Sequence, residues 1–427
     1  MAKQKTIQAP KGMRDILPED QKYWRYVLKK TEPLLEFFGF EKIETPVLES
    51  TELFVRSVGE GTDIVEKEMF SLKTRGGDRL TLRPEGTAST ARAYLENGMN
   101  VRPHPVKLYY AGPFFRHDQP QKGRYRQFYQ IGIETIGDSS DAVDAELIFL
   151  GHKLLSNLGL GGYNVHINSI GDSNCRPAYL KALKEFYKNK IKKVCPTCKI
   201  RFKANILRML DCKEEGCREL SKDAPQTVDY LDNECKTHFK HVLEFLDEAK
   251  VPYLLNPHLV RGLDYYTRTV FEFIPEENDS SQSSVISGGR YDRLIETLGG
   301  SKTPAAGWAM GLDRIVEALK DNNVSVPDFK PRPKVFLAQL GDAAKRKSLV
   351  LFEALRKAGI ETKSSLGRDS IKSQMRIAHR LGVKFTLIIG QKESLDNTVI
   401  LKDMDASTQE IIPAEKIVEE VKKRLKS

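Results

Sequence analysis

Residues 107–136, KLYYAGPFFRHDQPQKGRYRQFYQIGIETI, decide the fold. Two runs rich in Tyr, Phe and Ile, 107–115 and 125–136, flank a polar turn at 119–123 that carries Gln, Pro and Gly. That pattern predicts two strands and a reversal between them. So short a connection joins antiparallel strands; parallel neighbours would need a crossover of a dozen or more residues.

The same signal recurs outward from this hairpin. Runs 68–72 and 79–83 are separated by Gly76-Gly77, and strand-like segments return at 261–274 and 284–287. We therefore expect an α+β multidomain chain whose main sheet is antiparallel, not a parallel dinucleotide-binding fold. Upstream, Trp24, Val27, Leu28, Leu34, Leu35 and Phe38 recur at helical spacing, predicting a helix over 21–38 that stops at Gly39, with Pro33 leaving a kink or a break near Glu32 open. Residues 40–48, with Thr45-Pro46 inside, read as an edge or interface strand.

Between 174 and 252 the pattern changes to Lys-rich helical segments enclosing four cysteines, an inserted module that splits one catalytic domain into 1–173 and 253–326. The Pro-rich stretch FKPRPK then breaks the composition, and 327–331 reads as a linker. Beyond it, strands 335–340, 361–365 and 383–389 alternate with helices 343–358 and 370–381, followed by strand 398–401 and an amphipathic helix 414–425. Residues 332–427 are thus expected to form a separate small α/β domain.

Composition bounds the function. A length of 427 residues exceeds one ordinary core, and 40% hydrophobic with 30% charged residues excludes a disordered chain. Lys and Arg number 68 against 58 Asp and Glu, leaving +10, which attracts a polyanion, although scattered lysines also serve simply as a solvated surface. Residues 1–20 lack the apolar stretch of a secretory signal, and no run approaches the ~18 apolar residues of a membrane span, so no membrane partner and a cytoplasmic location are expected. Six cysteines in so long a chain do not make a disulfide scaffold.

Cys195-Pro-Thr-Cys198, Cys212 and Cys217 leave gaps of two, thirteen and four residues, a spacing from which thiolates can close a tetrahedral zinc site; the alternative is four reduced thiols. Cys175 and Cys235 have no evident role. Arg116, Arg124 and Arg126 put permanently charged, paired donors around the hairpin turn. Such groups suit phosphate, and taken alone they also fit a solvated or RNA-contacting patch.

Taken with Gly311-Leu312-Asp313-Arg314, the hairpin resembles the second and third signature motifs of class II aminoacyl-tRNA synthetases, and Thr45-Pro46 resembles the weaker first motif. The strings LRPEGTA (82–88), QKGRYRQF (121–128), RGLDYYTRTVFEF (261–273) and GGRYDRL (288–294) resemble the histidine-specific branch. The resemblance implies a class II antiparallel catalytic domain flanked by helices, a helical insertion that grips the acceptor arm, and a C-terminal α/β anticodon-binding domain. It implies activation of L-histidine by ATP, with Mg²⁺ on the pyrophosphate, transfer to the 3′-terminal adenosine of tRNA(His), and a homodimer.

Carried over position by position, Arg116 would hold the α-phosphate, Arg314 the far end of the triphosphate, and Arg261 both the attacking carboxylate and the α-phosphate. Asp118 and Arg124 would contact ATP and Phe128 would stack on adenine. Glu134 and Tyr266, beside Tyr265, would read the imidazole, and Glu85, Thr87 and Gln130 the α-amino group. Competing readings are a salt bridge of Arg261 with Asp264, core packing for Phe128 and helix capping for Glu85 or Thr87. Asp118 and Asp313 stand where the family usually has Glu, each keeping its charge but losing one methylene of reach. A rival reading is the synthetase-like regulatory subunit of ATP phosphoribosyltransferase, which performs no aminoacylation; the presence of Arg116, Arg261, Arg314 and residues 332–427 favours the enzyme.

Overall fold

A computed structural model describes residues 6–121, 123–276, 283–329 and 332–426. Lys122 of the hairpin turn and Lys330 and Pro331 of the expected linker lie outside the described residues. The chain forms two compact units, Met1–Pro327 and Asp328–Ser427.

The strands of the first unit are β1 (Glu41–Lys42), β2 (Leu48–Ser50), β3 (Phe70–Lys73), β4 (Arg79–Leu82), β5 (Val106–Phe115), β6 (Gln127–Ile136), β7 (Tyr163–Ser169), β8 (Tyr253–Leu255), β9 (Thr267–Pro275), β10 (Ile286–Arg290) and β11 (Ala305–Gly311). Its helices are α1 (Gln21–Phe37), α2 (Thr51–Val58), α3 (Thr87–Glu96), α4 (Asp141–Asn157), α5 (Arg176–Lys188), α6 (Pro196–Ala204), α7 (Glu215–Ser221), α8 (Asn233–Glu248), α9 (Leu294–Thr297) and α10 (Leu312–Asp321).

Eight strands make one sheet in the order β1-β5-β6-β11-β10-β9-β7-β8. Its inner pairs are antiparallel, whereas the outermost pairs, β1 with β5 and β7 with β8, are parallel. The hairpin that decided the fold is β5–β6, with Phe114 opposite Phe128, Gly112 opposite Gln130 and Leu108 opposite Glu134.

Three expectations are corrected. The upstream hairpin exists as β3–β4, but it joins β2 in a separate three-stranded sheet. Local alternation predicts a hairpin without saying which sheet receives it. The stretch 40–48 gives only the two-residue β1 before Pro46, which has no N–H to donate to a ladder, and pairing resumes in β2. Arg83 fills the gap by donating to the Thr45 carbonyl at 2.8 Å and hydroxyl at 3.0 Å. The break left open at Pro33 is also absent: α1 runs through it, its buried Trp24, Val27, Thr31 and Leu35 holding both halves against the core.

Strand periodicity separates the two faces of the main sheet. Tyr109, Ile131, Ile133, Phe271, Phe273, Trp308 and Met310 point to one face and pack against Leu147, Ile148, Leu150 and Leu154 of α4. Phe239, Val242 and Leu246 of α8 belong to that same core, so the last helix of the segment read as inserted packs with the catalytic sheet. Residues Tyr179, Leu183 and Tyr187 of α5 cluster instead with Cys198, Cys212 and Cys217. The alternate positions Phe128, Gln130, Glu272 and Ala309 face a cleft.

The second unit contains β12 (Val335–Gln339), β13 (Thr362–Ser364), β14 (Phe385–Ile389), β15 (Thr398–Asp403) and β16 (Gln409–Pro413), with α11 (Asp342–Lys357), α12 (Ile371–Leu381), α13 (Gln391–Asp396) and α14 (Ile417–Lys426). The order is β13-β12-β14-β15-β16, parallel across β12 and antiparallel beyond β14. Val335, Leu337, Leu355, Leu387, Leu401 and Val421 form its own core. The α/β reading holds, while α13 and β16, too short or too polar to show periodicity, went unread.

Candidate active site

The cleft has a volume of about 1050 Å³, and the three arginines singled out from distant segments all line it: Arg116 at the end of β5, Arg261 in the loop before β9, and Arg314 in the first turn of α10. Arg116 is aimed by its Nε, which donates to the Pro84 carbonyl at 2.8 Å, and its guanidinium carbon lies 5.4 Å from the Phe128 ring centre. Burial pushes its pKa down, with Glu68 and Glu85 opposing that shift. A guanidinium remains charged regardless, so the cleft holds an underpaired cation.

Arg314 donates to the Ser284 carbonyl and, at 3.4 Å, to that of Gly123. Burial and then the repulsion of Arg124 lower its pKa. Arg261 pairs with Glu272, not with Asp264, which instead accepts from Asn205 Nδ2 at 2.7 Å. Burial works against the charge of Arg261, but the Glu272 carboxylate outweighs it and holds the pKa above the ordinary value. The reason for the different partner is strand direction: Glu272 faces the cleft from β9, one period-two step from Val270, whereas Asp264 precedes the strand and turns toward the inserted segment.

Phe128 and Gln130 also line the cleft, as do Glu85, Thr87, Tyr265 and Tyr266. The Oε1 of Gln130 is buried with no hydrogen-bond partner among the described residues, which leaves it free to accept from a ligand. Glu85 does what the capping alternative described: its two oxygens accept from the backbone N–H of Thr87 at 2.7 Å and of Ala88 at 2.9 Å, at the start of α3. Capping leaves it further lone pairs and does not remove it from the cleft wall. The rings of Tyr265 and Tyr266 pack at a tilt of 44° with centroids 4.7 Å apart, and Arg176 fixes the turn by donating to the Tyr266 carbonyl at 2.8 Å.

Glu134 sits one layer below the wall. It accepts from Thr87 Oγ1 at 2.8 Å, from the Tyr110 hydroxyl at 3.2 Å and from the Tyr291 hydroxyl, and burial raises its pKa from the usual 4.5 to about 8. Glycines make this possible. Tyr110 lies across Gly86 and Gly132, and Gly307, opposite Glu134 on β11, leaves its carboxylate the space a Cβ would fill. Sequence reasoning missed Tyr110 and Tyr291, as it did Glu272 and His258, which also line or underlie the cleft. Tyr291 and Glu272 stood inside quoted strings, whereas an aromatic such as Tyr110 on a strand gives no signal that distinguishes it from core.

Asp118 and Arg124 both line the cleft but pair with each other, brought together by the backbone bridge between Gln121 and Arg124 that closes the turn. Asp313 is structural: one oxygen accepts from Arg14 Nη2 at 2.9 Å and the other from the Tyr129 N–H at 2.8 Å, tying the N-terminal segment and α10 to β6. The thiols of Cys195, Cys198, Cys212 and Cys217 lie within 4.8 Å of one another.

Residues 12–315 match the family described as histidyl-tRNA synthetase, and residues 334–424 match the anticodon binding domain. A histidine–tRNA ligase of Dehalococcoides mccartyi is 46% identical over 98% of this chain and 100% of its own length. One of Caldicellulosiruptor saccharolyticus is 44% identical, with the same coverages. The crystal structure of apo S. aureus histidyl-tRNA synthetase superposes with a TM-score of 0.78 at 36% identity, covering 98% of this chain and all of the other.

Proposed function

The chain belongs to the histidyl-tRNA synthetase family, and from that membership we propose how its residues divide the reaction. The enzyme joins histidine to ATP as histidyl-adenylate, releasing pyrophosphate, and then passes the histidyl group to the 3′-terminal adenosine of tRNA(His). The observation that carries the assignment is that Arg116, Arg261 and Arg314 line one cleft.

β6 acts as a ruler for the substrates. At about 3.3 Å per residue, Gln130 lies roughly 7 Å and Glu134 roughly 20 Å along the strand from Phe128. Adenine stacks on Phe128, the α-amino group reaches Gln130 with Glu85 and Thr87, and the imidazole lies at the Tyr266 end, above Glu134. An oxygen of the histidine carboxylate attacks the α-phosphorus, and the bond to the bridging oxygen of pyrophosphate breaks. Arg116 and Arg261 meet the charge that gathers on the α-phosphate, and Arg314 with Arg124 meets the leaving group. For Arg124 to do so, the phosphate must draw it from Asp118. Glu134 keeps its proton while the cleft is empty and passes it to the imidazole ring when histidine binds, the resulting carboxylate then accepting from the imidazolium N–H.

Mg²⁺ supplies countercharge on the pyrophosphate. The Oε2 of Glu272, buried and without a hydrogen-bond partner among the described residues, would suit it as a ligand. For zinc, the four clustered thiols fit: backbone N–H groups of Cys195 and Cys198 point at Sγ of Cys217 and Cys195, at 3.2 and 3.4 Å, as they do around thiolates. Cys195, Cys198, Cys212 and Cys217 would hold it and fasten α6 to α7. No helix among the described residues is long and apolar enough to cross a membrane. The tRNA substrate supports a cytoplasmic site of action, and the family supports a homodimer.

Pyrophosphate exchange with each amino acid in turn tests the assignment. Exchange is expected with histidine alone, and Arg116→Gln and Arg314→Gln each lower its rate by about 100-fold or more. Wild-type rates in both variants would remove the arginines from the reaction.

A further inference from the structure

Two cysteines remain without a role, and each stands three residues after an aspartate, in Asp172-Ser-Asn-Cys175 and Asp232-Asn-Glu-Cys235. The fold brings both pairs together, at the start of α5 and the start of α8, so that they bracket the segment carrying α5 to α7, and one ligand atom from each of the four residues falls within 4.8 Å of all the others. We infer that Asp172, Cys175, Asp232 and Cys235 form a second metal site, for one divalent ion of zinc's class, separate from the four-cysteine cluster.

The geometry suits a tetrahedral ion. Cys175 Sγ lies 3.8 Å from Cys235 Sγ and 3.8 Å from Asp172 Oδ1. Two sulfurs each about 2.3 Å from a tetrahedral centre are about 3.8 Å apart. The paired two-residue gaps are the spacing that lets one short turn supply two ligands. Both thiols are buried, in a small apolar cluster with Leu231 that belongs to neither large core. Soft sulfur joined with carboxylate oxygen selects zinc-like ions over magnesium or calcium.

Two donors already face the proposed ligands. The Asp172 N–H points at Cys175 Sγ at 3.4 Å, and Arg268 Nη2 contacts Asp172 Oδ2 at 3.3 Å. Asp232 uses Oδ1 to cap the Cys235 N–H at 2.8 Å, which leaves its second oxygen for the ion. On binding, each thiol releases its proton to solvent; two thiolates and two carboxylates carry four negative charges, of which the ion cancels two and Arg268, shared with Glu234, offsets part of the rest. The site is also tied to the substrate-reading turn: Gly171, beside Asp172, accepts through its carbonyl from the Arg268 N–H and from Arg176, which reaches on to the Tyr266 carbonyl, each at 2.8 Å. An ion here fastens the two ends of the segment behind Tyr265 and Tyr266.

The test is metal content and cobalt absorption of the full-length protein, prepared without chelator and exchanged with Co²⁺. Cys175→Ser with Cys235→Ser is expected to remove one equivalent and one set of tetrahedral cobalt bands, while Cys195→Ser with Cys198→Ser leaves that equivalent in place. Asp232→Asn preserves an oxygen for the helix cap, so a purely structural aspartate would tolerate it; here it weakens cobalt binding about tenfold or more. Unchanged metal content and affinity in the Cys175/Cys235 and Asp232 variants would overturn the site. So would a Cys175–Cys235 disulfide found in the native protein.

Discussion

Glu134 is a carboxyl group in surroundings that disfavour its charge, and this makes the protein's stability depend on pH in a predictable direction. Its folded pKa stands at about 8 against an ordinary 4.5. The unfolded chain therefore loses this proton before the folded one does, so the contribution is complete below about pH 4.5 and is lost as pH rises through 8, at up to about 1.4 kcal/mol per pH unit. Glu134→Gln, neutral throughout, is expected to flatten the thermal-unfolding profile between pH 5 and 8 and to lower kcat/KM for histidine about 10- to 100-fold, the cost of a lost charged hydrogen bond. A parallel profile in the variant would contradict the raised pKa. A second residue-level expectation concerns Arg261. Removing it alone strands Glu272 in a buried site, so Arg261→Gln should destabilise by about 3–5 kcal/mol as well as lose adenylate formation. Adding Glu272→Gln should recover much of the stability in urea denaturation but none of the activity. Recovery of both would make Arg261 merely a structural partner.

Behind the catalytic strands, a buried ion cluster holds elements together. Arg290, fully buried at the end of β10, pairs with Asp144 of α4 at 2.7 Å, and Asp144 also takes His238 Nε2 of α8 at 2.7 Å. Arg290 further donates to the carbonyls of Asp138 and Ser140 ahead of α4. Arg290→Met removes the cation and leaves Asp144 with His238 alone, which should cost about 3–5 kcal/mol and speed amide exchange first in α4 and α8. Uniform exchange at the wild-type rate would show that the cluster carries no such burden. The string GGRYDRL marked this region by resemblance yet said nothing of that strut, because Asp144 and His238 are remote in sequence. What was legible followed from short-range pattern: the period of two in β5 and β6, the Pro-rich break before the second unit, and the strings naming the arginines. What was not legible depended on distant neighbours: the sheet that received β3–β4, the glycines that seat Tyr110 and Glu134, and Glu272 as the partner of Arg261. Helix α8 reads as part of a Lys-rich insertion because its exposed face dominates composition, although Phe239, Val242 and Leu246 pack in the main core.

The two compact units each have a core of their own, and every cleft residue named above belongs to the first. On the proposed assignment adenylate formation uses only that cleft, whereas charging also requires a hold on a tRNA, and residues 334–424 match an anticodon binding domain. Residues 1–327 expressed alone are therefore expected to unfold cooperatively and to support histidine-dependent pyrophosphate exchange at close to the full-length rate. Their kcat/KM for tRNA in aminoacylation should fall about 100-fold, which corresponds to about 2.8 kcal/mol of lost binding. The fall should appear mainly in KM, as expected when binding is lost and the reacting groups are kept. If exchange falls together with charging while circular dichroism shows the fragment folded, the second unit must support the cleft itself, and the separation of activation from recognition along this chain is wrong.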